Sequence, residues 1–313
     1  MKIRLGYACL PVTIDETSSS TLTYSLYKKL GKEKNIKLDN VIKSNFSSLK
    51  NILKYNISND VIFFRMTSNL IPLGTHKNVK YEIFKRYKNE FLEIGNIIKE
   101  NDLRVDIHLD PFCVLNSDKK EVVSSSINIL NFNYNMYNAM KIKSILVMHI
   151  GSSKNSKKEA INRFENNFNL LPKKIQKILT LENDDKVYNI TDTLNLCKKL
   201  KIPMVLDYHH YLCNNNNENI EDYIIDICNT WNKSKYIPKI HFSSPKNKKE
   251  FRTHNDYINV DEFINFIEKI KFIDRDIDIM IEAKKKDEAL FRLIRQLKYK
   301  KIYKIKKNTI FLK

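Results

Sequence analysis

Short apolar runs alternate with longer amphipathic stretches along the whole chain. The short runs predict buried β-strands, and the amphipathic stretches predict helices. The strand candidates are Ile3–Ala8, Ile62–Thr67, Arg104–Leu109, Ile145–Ile150, Ile178–Glu182, Met204–His210, Lys239–Ser243 and Ile277–Ala283. The helix candidates are Asn45–Tyr55, Tyr81–Glu100, Glu121–Met140, Glu159–Phe168, Thr191–Leu200, Ile220–Trp231, Val260–Ile270 and Lys286–Leu297. Strict alternation of about eight strands with about eight helices predicts an α/β fold, a single (β/α)8 TIM barrel, rather than an open sheet.

The period of two along a strand sorts the side chains of this barrel into two faces. In the last strand, Ile277, Ile279 and Ile281 share the face that would meet the helices, while Asp278 and Glu282 share the other. Polar residues that face inward at the C-terminal ends of strands are where a TIM barrel carries its active site.

Histidines and carboxylates occur at or just beyond the ends of these predicted strands. A single strand histidine is more often a satisfied core or surface residue than a metal ligand. The interior of a barrel could not hold this many polar groups without partners, however, and imidazole and carboxylate are ligands that Mn and Zn prefer. The pattern therefore predicts a multinuclear metal site, with candidates His108, His149, Glu182, Asp207, His209, His210, His241, His254 and Glu282.

A chain of 313 residues accommodates one barrel, which typically takes about 250 residues. We expect the barrel domain to span residues 1–298 and residues 299–313 to form a basic C-terminal extension. That extension either contacts nucleic acid or is a solvated segment with an extra strand. The segment Pro11–Lys43 is expected to be a long loop on the catalytic face.

The composition narrows the choice of partner and compartment. With 55 Lys and Arg against 36 Asp and Glu, the net charge of +19 favours a polyanionic partner such as nucleic acid. The alternative is that abundant Lys, Asn and Ile reflect an AT-rich coding bias. Five scattered cysteines without a CxxC pair fit a reducing cytoplasm. We expect a protein that is neither secreted nor membrane-spanning, since the sequence shows no signal peptide and no long apolar run.

Several motifs together resemble the UV damage endonucleases, barrel enzymes related in fold to endonuclease IV. The resemblance covers the chain to about Lys298, and its most specific elements are LENDDK, the D-x-x-H of LDYHH and KIHFSSP. Other matching segments are LGYACL, FFRMTSNLIPLGTH, RVDIH, FCVLNS, MHIGSS, HNDYINVDEF and MIEAKKKD. The resemblance implies a monomeric, metal-dependent endonuclease that initiates excision repair. Its substrate would be double-stranded DNA carrying UV photolesions (pyrimidine dimers or 6-4 photoproducts), cut 5′ to the lesion.

In that family up to three divalent ions, usually manganese, share the active site. The matching ligands are His108, His149 and Glu182 for the first ion, the bridging Glu182 with Asp207, His241 and Glu282 for the second, and His210 and His254 for the third. The strand period favours His209 as the partner of Asp207, whereas the D-x-x-H spacing of the family selects His210. The residues alone do not decide between them.

For each of two basic residues, Lys239 and Arg65, two alternative roles are open. Lys239 matches a position that is carboxylated in the family, which makes it, with Glu182, a catalytic candidate; the alternative is an ion pair with a neighbouring carboxylate. Arg65, in FFRMTS, either steadies the phosphate of the DNA or pairs with carboxylates inside the barrel.

Two aromatic residues match positions that contact the lesion in relatives. Tyr7 matches the lesion-side aromatic, and Phe112 matches the aromatic of a loop that probes the DNA. Relatives commonly have H-P-x-Q before this aromatic, whereas here Leu109 and Pro111 replace the Pro and the Gln. The departure bears on lesion specificity or catalytic efficiency rather than on the metal site.

Two other functions remain open at this point. A sugar isomerase or epimerase on the same barrel also uses histidines and carboxylates around one or two ions. A DNA-binding protein that has lost catalysis would fit the altered probing loop, although the intact ligand set argues against it.

Overall fold

A computed structural model, which describes residues 1–312, contains a closed barrel of eight parallel strands with helices packed around it. The barrel closes because β1 pairs with both β2 and β8, while every other strand of the barrel pairs with its neighbours in chain order. The strands are β1 (Lys2–Ala8), β2 (Phe63–Met66), β3 (Arg104–His108), β4 (Leu146–His149), β5 (Leu179–Glu182), β6 (Met204–Asp207), β7 (Lys239–Phe242) and β8 (Ile277–Ile281). The predicted TIM barrel is confirmed.

The α-helices mostly follow the predicted stretches, apart from an unpredicted short helix, Lys173–Gln176, and three further differences. The segment Pro11–Lys43 is not all loop, because α1 and the start of α2 lie in it; the predicted helix Tyr81–Glu100 is split at Tyr87; and α9 begins directly after β6. The helices are α1 (Tyr24–Lys29), α2 (Lys34–Ser58), α3 (Ile83–Arg86), α4 (Lys88–Glu100), α5 (Lys120–Ala139), α6 (Lys157–Asn169), α7 (Lys173–Gln176), α8 (Ile190–Leu200), α9 (Tyr208–Cys213), α10 (Ile220–Asn229), α11 (Val260–Ile270) and α12 (Lys286–Lys300). There are also two 3-10 turns: Gly31–Glu33 directly precedes α2, and Lys271–Ile273 directly follows α11.

Ion pairs occupy part of the barrel interior, where bulky apolar side chains usually pack. Near the N-terminal strand ends, the carboxylate of Asp278 accepts hydrogen bonds from the guanidinium groups of Arg4 and Arg104. One layer higher, Lys239 pairs with Asp106. Alternate residues of each strand point into the barrel. The strands that carry these ion pairs therefore also carry the next layer of inward side chains, at their C-terminal ends.

The C-terminal tail extends the sheet at the end of the barrel opposite the C-terminal strand ends. Strands β9 (Lys304–Lys306) and β10 (Thr309–Phe311) form a hairpin. The β10 strand runs antiparallel to β1 and pairs with Lys2–Arg4, the first half of that strand. The tail of the predicted extension therefore lies far from the catalytic face; its last residue, 313, is outside the described residues.

None of the helices within residues 1–312 combines the length and the apolar character that crossing a membrane requires.

Candidate metal centre

The end of β6 decides which histidine joins Asp207. The strand stops at Asp207, whose side chain caps α9 by accepting a hydrogen bond of 2.8 Å from the backbone N–H of His210. This turn brings His210 Nδ1 to 3.6 Å from Asp207 Oδ2 and 3.4 Å from Glu182 Oε1. His209 points the other way: it is fully buried, and its ring lies against Phe251 and His254. The strand period does not apply here because the chain is already helical.

Two sets of ligand atoms meet at the C-terminal strand ends, and both contain Glu182. The first set is His108, His149 and Glu182; the second is Glu182, Asp207 and His241. Within each set the ligand atoms lie within 4.8 Å of one another. Glu182 Oε2 is 2.8 Å from His108 Nε2 and 3.1 Å from His241 Nδ1. The carboxylate thus stands between the two sets, as a bridging ligand would.

The remaining predicted ligands surround this pair of sets. Glu282 Oε1 lies 3.3 Å from His241 Nδ1, so it borders the second set. The rings of His210 and His254, the ligands expected for a third ion, have centroids 6.5 Å apart. The structure therefore brings all eight predicted ligand residues into one cluster, with His210 and His254 at its edge.

The electrostatics of the cluster favour a cation. Burial, helped by the nearby Glu182 and Glu282 and opposed by His210, raises the pKa of Asp207 to about 8. Burial disfavours a charged His210, but Asp207 and Glu182 outweigh this effect and raise the pKa of His210 to about 9. Among residues 1–312, the buried Asp207 Oδ2 atom has no hydrogen-bond partner. Closely spaced carboxylates with an unsatisfied oxygen, beside imidazoles, fit divalent metal ions.

Burial also keeps other imidazoles of the cluster neutral, as metal ligation requires. It lowers the pKa of His241 to about 4, and it lowers the pKa of His149 and of His254. For Glu182, burial would raise the pKa, but the neighbouring imidazoles lower it well below its ordinary value. His149, His241 and His254 thus offer neutral nitrogen donors beside a carboxylate, Glu182, that stays ionised.

Lys239 lies one layer beneath the cluster, fully buried, with its Nζ 2.7 Å from Asp106 Oδ2. The structure thus contains the ion pair that the sequence left open as the alternative to a carbamate. Burial lowers the pKa of Lys239 to about 8. Desolvation of Asp106 opposes its ionisation, but Lys239 and Arg65 outweigh it and lower the pKa of Asp106.

Arg65 has a different position from the one expected of a phosphate contact. Its side chain is 9 % exposed, and its guanidinium donates to Glu282 and reaches His241 Nε2 at 2.8 Å. Its Nε atom is 4.0 Å from Asp106 Oδ1. The pairing with barrel carboxylates is therefore the role that the structure supports, and it fixes the orientation of Glu282.

The two aromatic candidates, Tyr7 and Phe112, differ in how far they are buried. Tyr7, expected at the lesion, is fully buried, packs on Phe64, and donates a hydrogen bond of 2.6 Å to Asn56. The reason is the strand period, which places Tyr7 with Ile3 and Leu5 on the helix-facing side of β1. Phe112, in contrast, is 86 % exposed in the loop that follows β3. Of these two aromatic residues, Phe112 is therefore the one that is exposed at the barrel mouth.

Two residues that hold parts of the candidate metal centre in place, Asn183 and Asp106, were not predicted from the sequence. Asn183 links β5 to β6: its side chain exchanges two hydrogen bonds of 2.9 Å with the backbone of Asp207, and its carbonyl accepts from His210 Nδ1 at 3.0 Å. Asp106 is the partner of Lys239. Alternation in RVDIH gave a signal for Asp106, because Arg104, Asp106 and His108 share the inward face. The strand period does not mark Asn183, for which the only signal was its place in the motif LENDDK.

A family model, a relative in sequence and a solved structure all point to the same family. A family model described as UV-endonuclease UvdE matches residues 3–313. A UV DNA damage endonuclease of Bacillus mycoides is 39% identical over 301 residues, which cover 95% of this chain and 95% of the relative. The crystal structure of SacUVDE superposes with a TM-score of 0.86 at 32% identity, covering 96% of this chain and 99% of that one.

The barrel is shared more widely than the sequence. A D-psicose 3-epimerase of Clostridium cellulolyticum H10 superposes with a TM-score of 0.52 at 10% identity, over 75% of this chain and 79% of that chain. A likeness at this identity shows the fold alone, so it gives the sugar isomerase alternative no support beyond the barrel.

Proposed function

The chain belongs to the UV-endonuclease UvdE family and is a UV DNA damage endonuclease, and on that premise we propose that the strand-end cluster carries out the reaction with bound divalent metal ions. The bond cut would be the phosphodiester 5′ to a pyrimidine dimer or 6-4 photoproduct in double-stranded DNA. The observation that supports metal dependence is the position of Glu182 between two sets of ligand atoms.

Different residues of the chain would hold each of the ions in such a centre. His108 and His149 would hold one ion with Glu182, and Asp207, His241 and Glu282 would hold a second. His210 and His254 would hold a third at the edge of the cluster. When bound, such ions activate water as a nucleophile and neutralise the leaving oxygen of the phosphodiester. Arg65 keeps Glu282 in place from below through their ion pair.

Manganese and a carboxylated Lys239 are the finer parts of this proposal. Mixed imidazole and carboxylate ligands suit manganese. For the carbamate, the support is the charge around Lys239: Arg65 and Arg104 are close enough to affect its pKa. Among residues 1–312, Arg65 Nε and Arg104 Nη2 are buried without a hydrogen-bond partner. These N–H groups would stabilise an anion at the end of Lys239.

We also propose that the enzyme is a cytoplasmic monomer. All five cysteines are free, which suits a reducing compartment. The contact with DNA would be made at the barrel mouth, where Phe112 is exposed, and the net charge of +19 of the whole chain would favour binding of a phosphate backbone.

The experiment that tests the function is nicking of plasmid DNA. We expect the purified protein to nick UV-irradiated plasmid in preference to intact plasmid, to lose nicking when a chelator removes divalent cations, and to regain it with manganese. Metal analysis of the same preparation supplies the number of bound ions. Equal nicking of both plasmids would reject lesion recognition, and nicking that survives chelation would reject metal dependence.

Replacing Phe112 by alanine is expected to reduce the preference for irradiated DNA roughly tenfold. An exposed aromatic ring that fills the gap left by displaced bases contributes stacking of about 1–3 kcal/mol per base, and extruding a base is cheapest where stacking is already disrupted. The measurement is the ratio of nicking rates on irradiated and intact plasmid, together with metal content and melting temperature.

The matched control is Phe272→Ala, because Phe272 is also exposed (52 %) but follows α11 at the opposite end of the barrel. That variant should keep the wild-type ratio. If Phe112→Ala lowers the melting temperature and leaves the ratio unchanged, Phe112 packs against the protein instead of the DNA.

A further inference from the structure

The segment between residues 244 and 255 forms a hairpin, here called the β7 hairpin, that leaves the barrel just after β7. Its two arms are joined by hydrogen bonds from Lys246 N to Thr253 O (2.7 Å) and from Asn255 N to Ser244 O (2.9 Å), and Pro245 pairs with His254 as an isolated β-bridge. The hairpin therefore starts next to His241 and ends at His254, two residues of the candidate metal centre. Its tip is tied by its arms to the catalytic end of the barrel.

The tip of the β7 hairpin is basic, and part of its charge is unpaired. Lys246 forms an ion pair with Glu250, and Arg252 lies 3.8 Å from Asp185. Lys248 and Lys249 are exposed, and within residues 1–312 neither forms an ion pair at 4.0 Å or less. The hairpin thus presents two free ammonium groups to the solvent at the catalytic end.

An aromatic ring holds the tip against the barrel. Phe251 is 38 % exposed and stacks on His209, with ring centroids 5.7 Å apart. His209 in turn contacts the ring of His254 edge-on, with centroids 5.2 Å apart. This stack buries His209, and it limits how far the tip, with Lys248 and Lys249, can move from the barrel.

The hairpin and the loop of Phe112 lie on opposite sides of the barrel mouth. In the closed order of eight strands, β3 and β7 are four positions apart, which is half the circumference. Phe112 follows β3 and the β7 hairpin follows β7, so the ligand cluster lies between them. A duplex that brings a phosphate to the cluster and a lesion to Phe112 crosses the mouth toward the hairpin.

We propose that the β7 hairpin is a DNA clamp, in which Lys248 and Lys249 contact the phosphate backbone on the side of the centre away from Phe112. The inference rests on the proposed function, because it takes DNA as the substrate at this mouth. Phosphate contacts of this kind position the duplex and carry no sequence information, which suits an enzyme that recognises a lesion rather than a sequence.

The chain offers a matched control at its other end. Lys304 and Lys306 are also exposed, and within residues 1–312 they too lack an ion pair at 4.0 Å or less. They lie on β9, at the N-terminal strand ends. Both pairs of lysines are exposed and carry the same charge, and they lie at opposite ends of the barrel.

The test compares Lys248→Gln/Lys249→Gln with Lys304→Gln/Lys306→Gln in the metal-loaded protein. Each phosphate contact contributes about 0.9 to the slope of log affinity against log salt for duplex DNA. For the hairpin variant we expect the slope to fall by about 1.8, with unchanged metal content and melting temperature. The control variant should keep the wild-type slope. The measurement is the affinity for an undamaged duplex of fixed length at several salt concentrations.

Two results would overturn the clamp: equal slopes in the wild type and both variants, or an equal fall in both variants, which would show that charge acts without regard to position. Failure of the proposed function has a different signature. In that case the wild type would show a flat salt plot and no preference for irradiated plasmid, whereas failure of the clamp alone leaves both properties of the wild type intact.

Discussion

Replacing Glu182 by glutamine is expected to lower the nicking rate by at least ~100-fold, in line with loss of a group essential to metal-ion catalysis. Glu182 belongs to both sets of ligand atoms, so the substitution removes one negative charge from two metal positions at once. Affinity for duplex DNA should largely persist, because lysine and arginine side chains elsewhere carry it. The measurements are nicking of irradiated plasmid, metal content and duplex affinity.

The control for Glu182→Gln is Glu268→Gln, which makes the same change on α11, where Glu268 pairs with Lys271. That variant should match the wild type in all three measurements. A Glu182→Gln enzyme within a few fold of the wild-type rate would reject the shared centre. Loss of nicking together with loss of duplex affinity would mean that the substitution disturbs more than the metal centre.

Replacing Asp106 by asparagine is expected to lower the free energy of unfolding of the metal-free protein by about 3–5 kcal/mol. Asp106 and Lys239 are both fully buried, and their charged atoms are 2.7 Å apart. The substitution leaves the ammonium of Lys239 in the barrel interior without a countercharge. Urea titration at pH 7, below the pKa of about 8 that Lys239 has with Asp106 in place, measures the loss.

The matched control is Asp226→Asn, which breaks the ion pair of Asp226 with Lys198 on the surface, where the side chains are 49% and 48% exposed. An exposed pair contributes about 0–1 kcal/mol, so this variant should be nearly as stable as the wild type. If Asp106→Asn is as stable as the control, Lys239 is not held as an ammonium. A gain in stability would favour the carbamate, which Asp106 would repel.

The charged layers of the barrel explain how the centre keeps its carboxylates together. Arg65 lies between Glu282 above and Asp106 below. Positive groups beneath the cluster reduce the repulsion between Glu182, Asp207 and Glu282. A buried arrangement of this kind is costly if any one member is lost.

The sequence by itself determined the barrel and much of the metal centre. The alternation of apolar runs and amphipathic stretches fixed the order of strands and helices, since each must bury one face against the other. The strand period then placed Glu182, His241 and Glu282 on inward faces at strand ends, and parallel strands of a closed barrel bring such ends together. Local patterns were sufficient because these features depend only on neighbouring residues.

Only the tertiary structure decided the details that depend on distant residues. Lys239 and Asp106 are 133 residues apart, and no local pattern shows that they pair. The choice of His210 over His209 depends on α9 starting at Asp207, where the strand period ends. The hydrogen bond of Tyr7 to Asn56 and the exposure of Phe112 depend on which helices and loops cover each strand end. Contacts of this kind are set by packing across the fold, which the order of residues in one segment does not contain.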